Sequence, residues 1–167
     1  EGSSKGVSPG SVVRSEAALE GQVNALLADY RPVLVEPYLP GREFSVGVLG
    51  SGPGVQALGA VEIRHGAAPL VDVLGKKAWA PQTFQPVLDS ALHSQLCALG
   101  EQAFRVLDCQ TIARVDMRMD REGNVQLIEI KPNPGLHPTR SAMPAVARLA
   151  GMSYATLIDR LIGLALA

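Results

Sequence analysis

The chain has 167 residues, 47% of them hydrophobic, and a formal net charge of −1 at pH 7. That is enough apolar material for one domain with a real core, with part of a neighbour attached. The near-neutral balance excludes the electrostatic footprint of a nucleic-acid binder or of a protein drawn to an acidic membrane.

Taken in chain order, Glu1-Gly-Ser-Ser-Lys-Gly6 comes first. Two glycines admit close backbone approach, and two hydroxyls and a cation suit phosphate oxygens. It is not a Walker A sequence, because Lys5 precedes the second glycine and no Lys-Ser/Thr follows; a loose chain end is the plain alternative. An opening without Met, in the middle of such a motif, reads as part of something longer. Leu19, Val23, Leu26, Leu27 and Tyr30 then recur at helical spacing behind Ser15, predicting a capped helix over about 15–30. Val33–Glu36 reads as a short strand, which Pro37-Tyr-Leu-Pro-Gly41 must end. Glu36 closes this strand and Glu43 opens the next. Such a bend can present backbone groups to an adenine edge and a carboxylate to a ribose, and it can equally be a simple connection.

Residues 43–49, 56–64 and 69–74 read as strands of a meander, separated by turns at Ser51-Gly-Pro-Gly54 and His65-Gly66. Lys76 and Lys77 follow, either as solvated surface or as point charges for phosphate. From Pro86 to Leu107, Leu92, Leu96, Leu99, Ala103 and Val106 mark an amphipathic helix. Within it His93 reads as a surface residue. Ser153 can cap a last helix striped by Leu157, Ile158, Leu161, Ile162 and Ala165. Antiparallel strands with packed helices make the fold class α+β, not a parallel doubly wound sheet. Cys97 and Cys109 have apolar neighbours and no CxxC spacing, so they read as buried reduced thiols. With no signal-peptide pattern and no apolar run of about 18 residues, they point to the cytoplasm.

The most informative stretch is RVDMRMDREGNVQLIEIKPNPG, from Arg114 to Gly135. Residues two apart in a strand share a face, so Arg114, Asp116 and Arg118 point one way while Ala113, Val115, Met117 and Met119 point the other. On the return strand Glu129 and Lys131 share a face, with Gln126, Ile128 and Ile130 opposite. A two- or four-residue turn would put Asp116 opposite or diagonal to Glu129, roughly 5–8 Å away, where a Mg²⁺ could be shared. A three-residue loop would separate the carboxylates onto opposite faces. A solvated hairpin face is the alternative.

In this order the pieces resemble the ATP-grasp superfamily, most closely the C-terminal part of the D-alanine–D-alanine ligases. EGSSKGVS is similar to a phosphate-covering loop, VLVEPYLPGREFSVGVLG to the hinge strand and the strand after it, and LDCQTIARVDMRMDREGNVQLIEI to the metal-binding hairpin. NPGLHPT and AGMSYATLIDRLIGLAL resemble the substrate loop and last helix. The resemblance implies an ATP-grasp C-terminal subdomain over residues 32–167, an antiparallel sheet packed with helices. Residues 1–31 would be the end of the lid subdomain, and the N-terminal domain and a lid lysine would precede Glu1.

By that resemblance Ser3 and Ser4 would cover the γ-phosphate, Glu36 with the backbone at Pro37 and Leu39 would bind adenine, Glu43 the ribose, and Lys76 phosphate. Asp116 and Glu129 would be metal carboxylates, with Glu129 bridging two ions. Arg114 and the Gly135 N–H would stabilise the oxyanion, and Ser141 would hold the second substrate's carboxylate, with His137 near it. The implied cofactors are ATP and Mg²⁺, or Mn²⁺, and the implied partners are small amino acids and the N-terminal part of the parent chain. Ligases of this family are often dimers. The activity implied is ligation of a carboxylate to an amine through an acyl phosphate, as in cell-wall dipeptide synthesis.

Two positions depart from the pattern. Lys131 stands where the family usually has an asparagine metal ligand, and an ammonium has no lone pair for a metal. Asn133 or a water takes over, or the lysine displaces one metal and contacts phosphate, or the site is degenerate. Lys77 stands where a tyrosine is common near the second substrate, which would favour a different, more acidic one. Ligation of another dipeptide or natural product, and a nucleotide-binding module without catalysis, are therefore the competing readings.

Overall fold

A computed structural model describes residues 9–65 and 82–166 of the chain. Ser3, Ser4, Lys76, Lys77 and the strand expected at 69–74 lie outside the described residues. The chain divides into two compact units, Glu1–Tyr38 with His65–Gln82, and Leu39–Arg64 with Thr83–Ala167.

In the first unit, helix α1 (Glu16–Leu27) begins where the sequence places it, with the Ala18 N–H donating to the Ser15 side chain at 3.3 Å. This satisfies one of the amide groups that a helix start leaves unpaired. The strand expected at Val33–Glu36 does not form. Pro32 and Pro37 leave four residues between them, and β propensity yields a strand only where a ladder partner exists. Leu34, 78% exposed, and Val35 are left facing outward.

The second unit is built on a five-stranded sheet of β1 (Glu43–Gly50), β2 (Gln56–Arg64), β3 (Thr83–Pro86), β4 (Thr111–Met119) and β5 (Val125–Lys131). Their order is β3-β2-β1-β4-β5, and every pair is antiparallel. With its helices this is the α+β class that the periodicities indicate. β3 occupies residues just before the point at which the sequence places the helix, and four residues ending in Pro86 carry too little pattern to be read as a strand.

One face of the sheet packs on α2 (Ser90–Val106), whose Asp89 cap accepts from Ala91 and Leu92 N–H. Leu92, Leu96, Gly100 and Phe104 form its buried stripe, meeting Phe44, Val46 and Val48 of β1 and Ala113, Val115 and Met117 of β4. The sequence placed Val106 on that stripe, and it is 75% exposed. The strict i, i+4 row through Gly100 to Phe104 carries the contact, because a Cβ at position 100 would stand 2.7 Å from Val46 Cγ1 and only glycine lets the helix approach so closely. His93, expected at the surface, is half-buried, and its Nε2 accepts the Ala60 N–H at 3.3 Å. Cys97 and Cys109 are free thiols, as expected, though partly rather than fully buried; burial, aided by Glu101, raises the Cys97 pKa.

The opposite face is covered at one end by α3 (Ala142–Leu149) and α4 (Tyr154–Leu166), around Leu49, Met143, Ala147 and Leu157. Ser153 caps α4 through the Thr156 N–H at 3.1 Å. α3 is absent from the sequence reading. It has eight residues, about two turns, and carries Pro144 in its first turn, so the run is too short for a helical period to be read and its proline argues against a helix. Towards the Glu43 end, the same sheet face carries polar side chains.

Candidate active site

Glu43 and Ser45 on β1 stand opposite Arg118 and Asp116 on β4, and Arg114 and Asp116 stand opposite Lys131 and Glu129 on β5. The Asp116–Glu129 pairing that the sequence suggests is present, but it arises differently. The hairpin loop from Asp120 to Asn124 has five residues, since Met119 pairs with Val125. An odd loop alone would bring Ile128 opposite Asp116. A β-bulge between Asp116 and Met117 leaves Ile128 as the extra residue and restores Glu129 to the polar face. The bulge also reverses the expectation for Gln126, which pairs with Arg118 and donates to Asp120 Oδ2 at 3.1 Å. The loop is held by Asp120, which accepts from the Glu122 and Asn124 N–H groups.

Asp116 is the centre of the cluster and is only 7% exposed. Its Oδ1 accepts from the Ser45 hydroxyl at 2.5 Å, and its Oδ2 from Arg114 Nη2 at 2.7 Å and Lys131 Nζ at 3.0 Å. Burial works against the charged carboxylate, but the Arg114 charge and hydrogen bond, the Ser45 hydroxyl and the Lys131 charge prevail and hold its pKa below the usual carboxylate value. Lys131 also contacts Glu129 Oε1, so one ammonium joins the two carboxylates. Glu129 is otherwise the open member, with half its side chain exposed. Arg114 Nε is buried and has no acceptor among the described residues. Next along the face, Arg118 pairs with Glu43 at 3.5 Å and donates from Nε to the Gly41 carbonyl at 3.1 Å.

Ser45 was not singled out from the sequence, although a lone hydroxyl among the apolar residues of EFSVGVLG was the available signal. Arg118 was placed on the right face but given no role. Glu36 and Pro37 are exposed in the first unit, and Leu39 is half-buried in the second. Asn133 is exposed, two residues beyond the end of β5. Gly135, His137 and Ser141 form a second group before α3. The His137 N–H donates to Ser141 Oγ at 3.1 Å, and the His137 Nε2 accepts from Arg140 Nε at 3.0 Å. A Cβ at Gly135 would stand 2.9 Å from Ser141 Oγ, so a side chain there would displace that hydroxyl. The Tyr154 hydroxyl fastens the loop from α4 by donating to the Leu136 carbonyl at 3.0 Å.

The donor set was weighed against a divalent metal. No group of three His, Cys, Asp or Glu side chains that could hold an ion occurs among the described residues. Asp116 already takes three donors, and Lys131 fills the space between it and Glu129. Glu129 fits as a single carboxylate ligand of the kind that shares Mg²⁺ with substrate phosphates. A pair of ions bridged by this set does not fit.

An antiparallel sheet with helices on both sides and a charged half-face beside the last strands is the class of architecture that comparison with known proteins identifies further. The sequence model described as D-ala D-ala ligase C-terminus matches residues 1–163. The chain therefore belongs to the D-alanine–D-alanine ligase C-terminal family of the ATP-grasp superfamily. It is 36% identical over 160 residues to the uncharacterized protein y4sG of Sinorhizobium fredii, covering 92% of this chain and 47% of that protein. It is 35% identical over 170 residues to a D-alanine–D-alanine ligase of Frankia casuarinae, covering 99% of this chain and 43% of the ligase. The D-alanine–D-alanine ligase structure from Coxiella burnetii aligns with a TM-score of 0.73 at 27% identity, over 92% of this chain and 40% of that one. A Bacillus anthracis D-alanine–D-alanine ligase complexed with ATP shares the fold, with a TM-score of 0.72 at 24% identity, over 92% of this chain and 49% of its own. The chain thus spans less than half the length of the curated relatives it matches.

Proposed function

We propose that this chain is the nucleotide-and-acceptor side of an ATP-dependent ligase that joins a carboxylate to an amine through an acyl phosphate. The observation that carries the reading is the cluster of Arg114, Asp116, Lys131 and Glu129 on the part of the sheet face that α3 and α4 do not pack against. It lies in a chain whose family is that of D-alanine–D-alanine ligases. Residues 1–31 are assigned to the lid subdomain and 32–167 to the C-terminal subdomain.

In the reaction, a carboxylate oxygen of the first amino acid attacks the γ-phosphorus of ATP and ADP leaves. The second amino acid's amine, having lost its proton, attacks the acyl carbon. The tetrahedral intermediate collapses to the amide and expels inorganic phosphate. Negative charge gathers first on phosphoryl oxygens and then on the tetrahedral oxygen, so fixed positive charge accelerates both steps. Arg114, held by Asp116 and with no acceptor for its Nε–H among the described residues, is the group assigned to that charge, together with the Gly135 N–H. Ser45 keeps Asp116 oriented, and Asp116 keeps Arg114 in place. A divalent metal bound at Glu129 would supply further Lewis-acid stabilisation of phosphate charge. Ser3, Ser4 and Lys76 are assigned to the phosphates, Glu36, Pro37, Leu39 and Glu43 to the nucleoside, and His137, Ser141 and Lys77 to the second amino acid.

Release of phosphate from ATP by the full-length protein, measured over a panel of D- and L-amino acids, tests this directly. The expected result is release that depends on a particular amino acid pair and yields a dipeptide. Lys131 favours a second reading, a nucleotide-binding module without catalysis, and binding of Mg-ATP with no release across the whole panel would establish that reading instead.

A further inference from the structure

Two carboxylates on neighbouring strands, facing one another on a polar half-face, are a place to share a cation. Here the cation is covalently attached. Lys131 Nζ lies 3.0 Å from Asp116 Oδ2 and in contact with Glu129 Oε1, and its own strand fixes it there, opposite Arg114. Asp116 is buried and takes donors from Ser45, Arg114 and Lys131, so its oxygens are largely committed to the protein. Glu129, by contrast, has half its side chain in the open. With Arg114 and Lys131 against Asp116 and Glu129, the cluster is neutral by formal charge. The usual reason for recruiting metal between two carboxylates, their mutual repulsion, has been removed by the protein itself.

We infer that Lys131 is a resident substitute for one divalent ion. On this inference, a nucleoside triphosphate is held at this face by a single metal at Glu129, while the Lys131 ammonium meets the phosphate oxygens directly. The inference rests on the ATP-dependent reading above and refines it. An ammonium provides a positive charge and three donors but no ligand exchange. The chain would then need one divalent ion per turnover complex instead of two, and metal added beyond what saturates the nucleotide would bring no further rise in rate.

The test is a count of bound Mn²⁺ in the full-length protein with a saturating non-hydrolysable ATP analogue. It uses titration calorimetry together with electron paramagnetic resonance, in which neighbouring Mn²⁺ ions reveal themselves by spin coupling. The wild type is expected to hold a single uncoupled Mn²⁺ for each bound nucleotide. Lys131→Asn, which removes the cation and supplies a carbonyl oxygen, is expected to double that count and produce the coupled signal. Lys131→Met, which removes the charge without supplying a ligand, is expected to keep the count at one and weaken nucleotide binding by ten-fold or more. A coupled pair in the wild type, or a count unchanged in Lys131→Asn, overturns the role of Lys131 while leaving the ligase reading standing. The wild-type count decides the matter alone if Lys131→Asn fails to fold. Absence of nucleotide binding at any Mn²⁺ concentration overturns the ligase reading and this inference with it.

Discussion

At the scale of residues, the site is a balance of charges in which Asp116 is the least replaceable. Substituting Asp116→Asn preserves its shape but leaves Arg114 and Lys131, each about one-fifth exposed, facing a neutral amide. Breaking a fully buried pair in this way costs about 3–5 kcal/mol, and the partial exposure of both cations lowers the expectation to about 2–3 kcal/mol. Urea denaturation of the two proteins at pH 7 measures it. The same pair has a defined response to acid. Because the folded-state pKa of Asp116 lies below its unfolded value, near 3.9, its contribution is fully present above that value and disappears as pH falls through the folded pKa. The difference in stability between wild type and Asp116→Asn is therefore expected to hold from pH 7 to about 5 and to shrink below pH 4. Gly135→Ala addresses the other group of site residues. Its added methyl would meet Ser141 Oγ at 2.9 Å in a loop whose position 135 is itself exposed. Turnover is expected to fall by ten-fold or more, with the urea midpoint nearly unchanged.

At the scale of elements, the hairpin shows what sequence parity can and cannot deliver. Alternation along β4 identified the charged set Arg114, Asp116 and Arg118 because a strand buried on one face repeats every two residues. The partner strand could not be aligned in the same way. Its register depends on the five-residue loop and the bulge at Ile128, and neither leaves a periodic mark. Two irregularities cancelled, so Glu129 reached its expected place while Gln126 did not. α1, α2 and α4 were legible from capping residues and apolar stripes. α3, β3 and the failed strand at Val33–Glu36 were not, since a two-turn helix with a proline in it and a four-residue strand are set by tertiary partners rather than by pattern. The contact between α2 and β1 provides a stability test at this scale. Gly100→Ala would press a methyl against the β-branched Val46 and is expected to cost about 1–3 kcal/mol. Gly163→Ala, with open space around it in α4, is expected to be neutral or to stabilise by up to about 1 kcal/mol. Thermal unfolding of both variants alongside the wild type checks the contrast.

At the scale of the whole molecule, the proposed function makes the polar half-face one wall of a reaction chamber. α2 closes one side of the sheet, α3 and α4 close part of the other, and the charged residues lie in the part that remains. Since the chain corresponds to less than half the length of its curated relatives, the other wall is expected from the remainder of a longer protein. The 167 residues expressed alone are accordingly expected to fold through the second unit's core and to show little or no turnover. Activation of a carboxylate by phosphoryl transfer at this face is tested by the fate of one oxygen atom. The full-length protein would be supplied with ATP and with its preferred amino acid labelled with ¹⁸O in the carboxylate, and the phosphate released would be examined by mass spectrometry. An acyl phosphate carries one substrate oxygen into each phosphate, so singly labelled phosphate in step with dipeptide is the result the account predicts. Unlabelled phosphate would mean that water attacks ATP directly, and would contradict it.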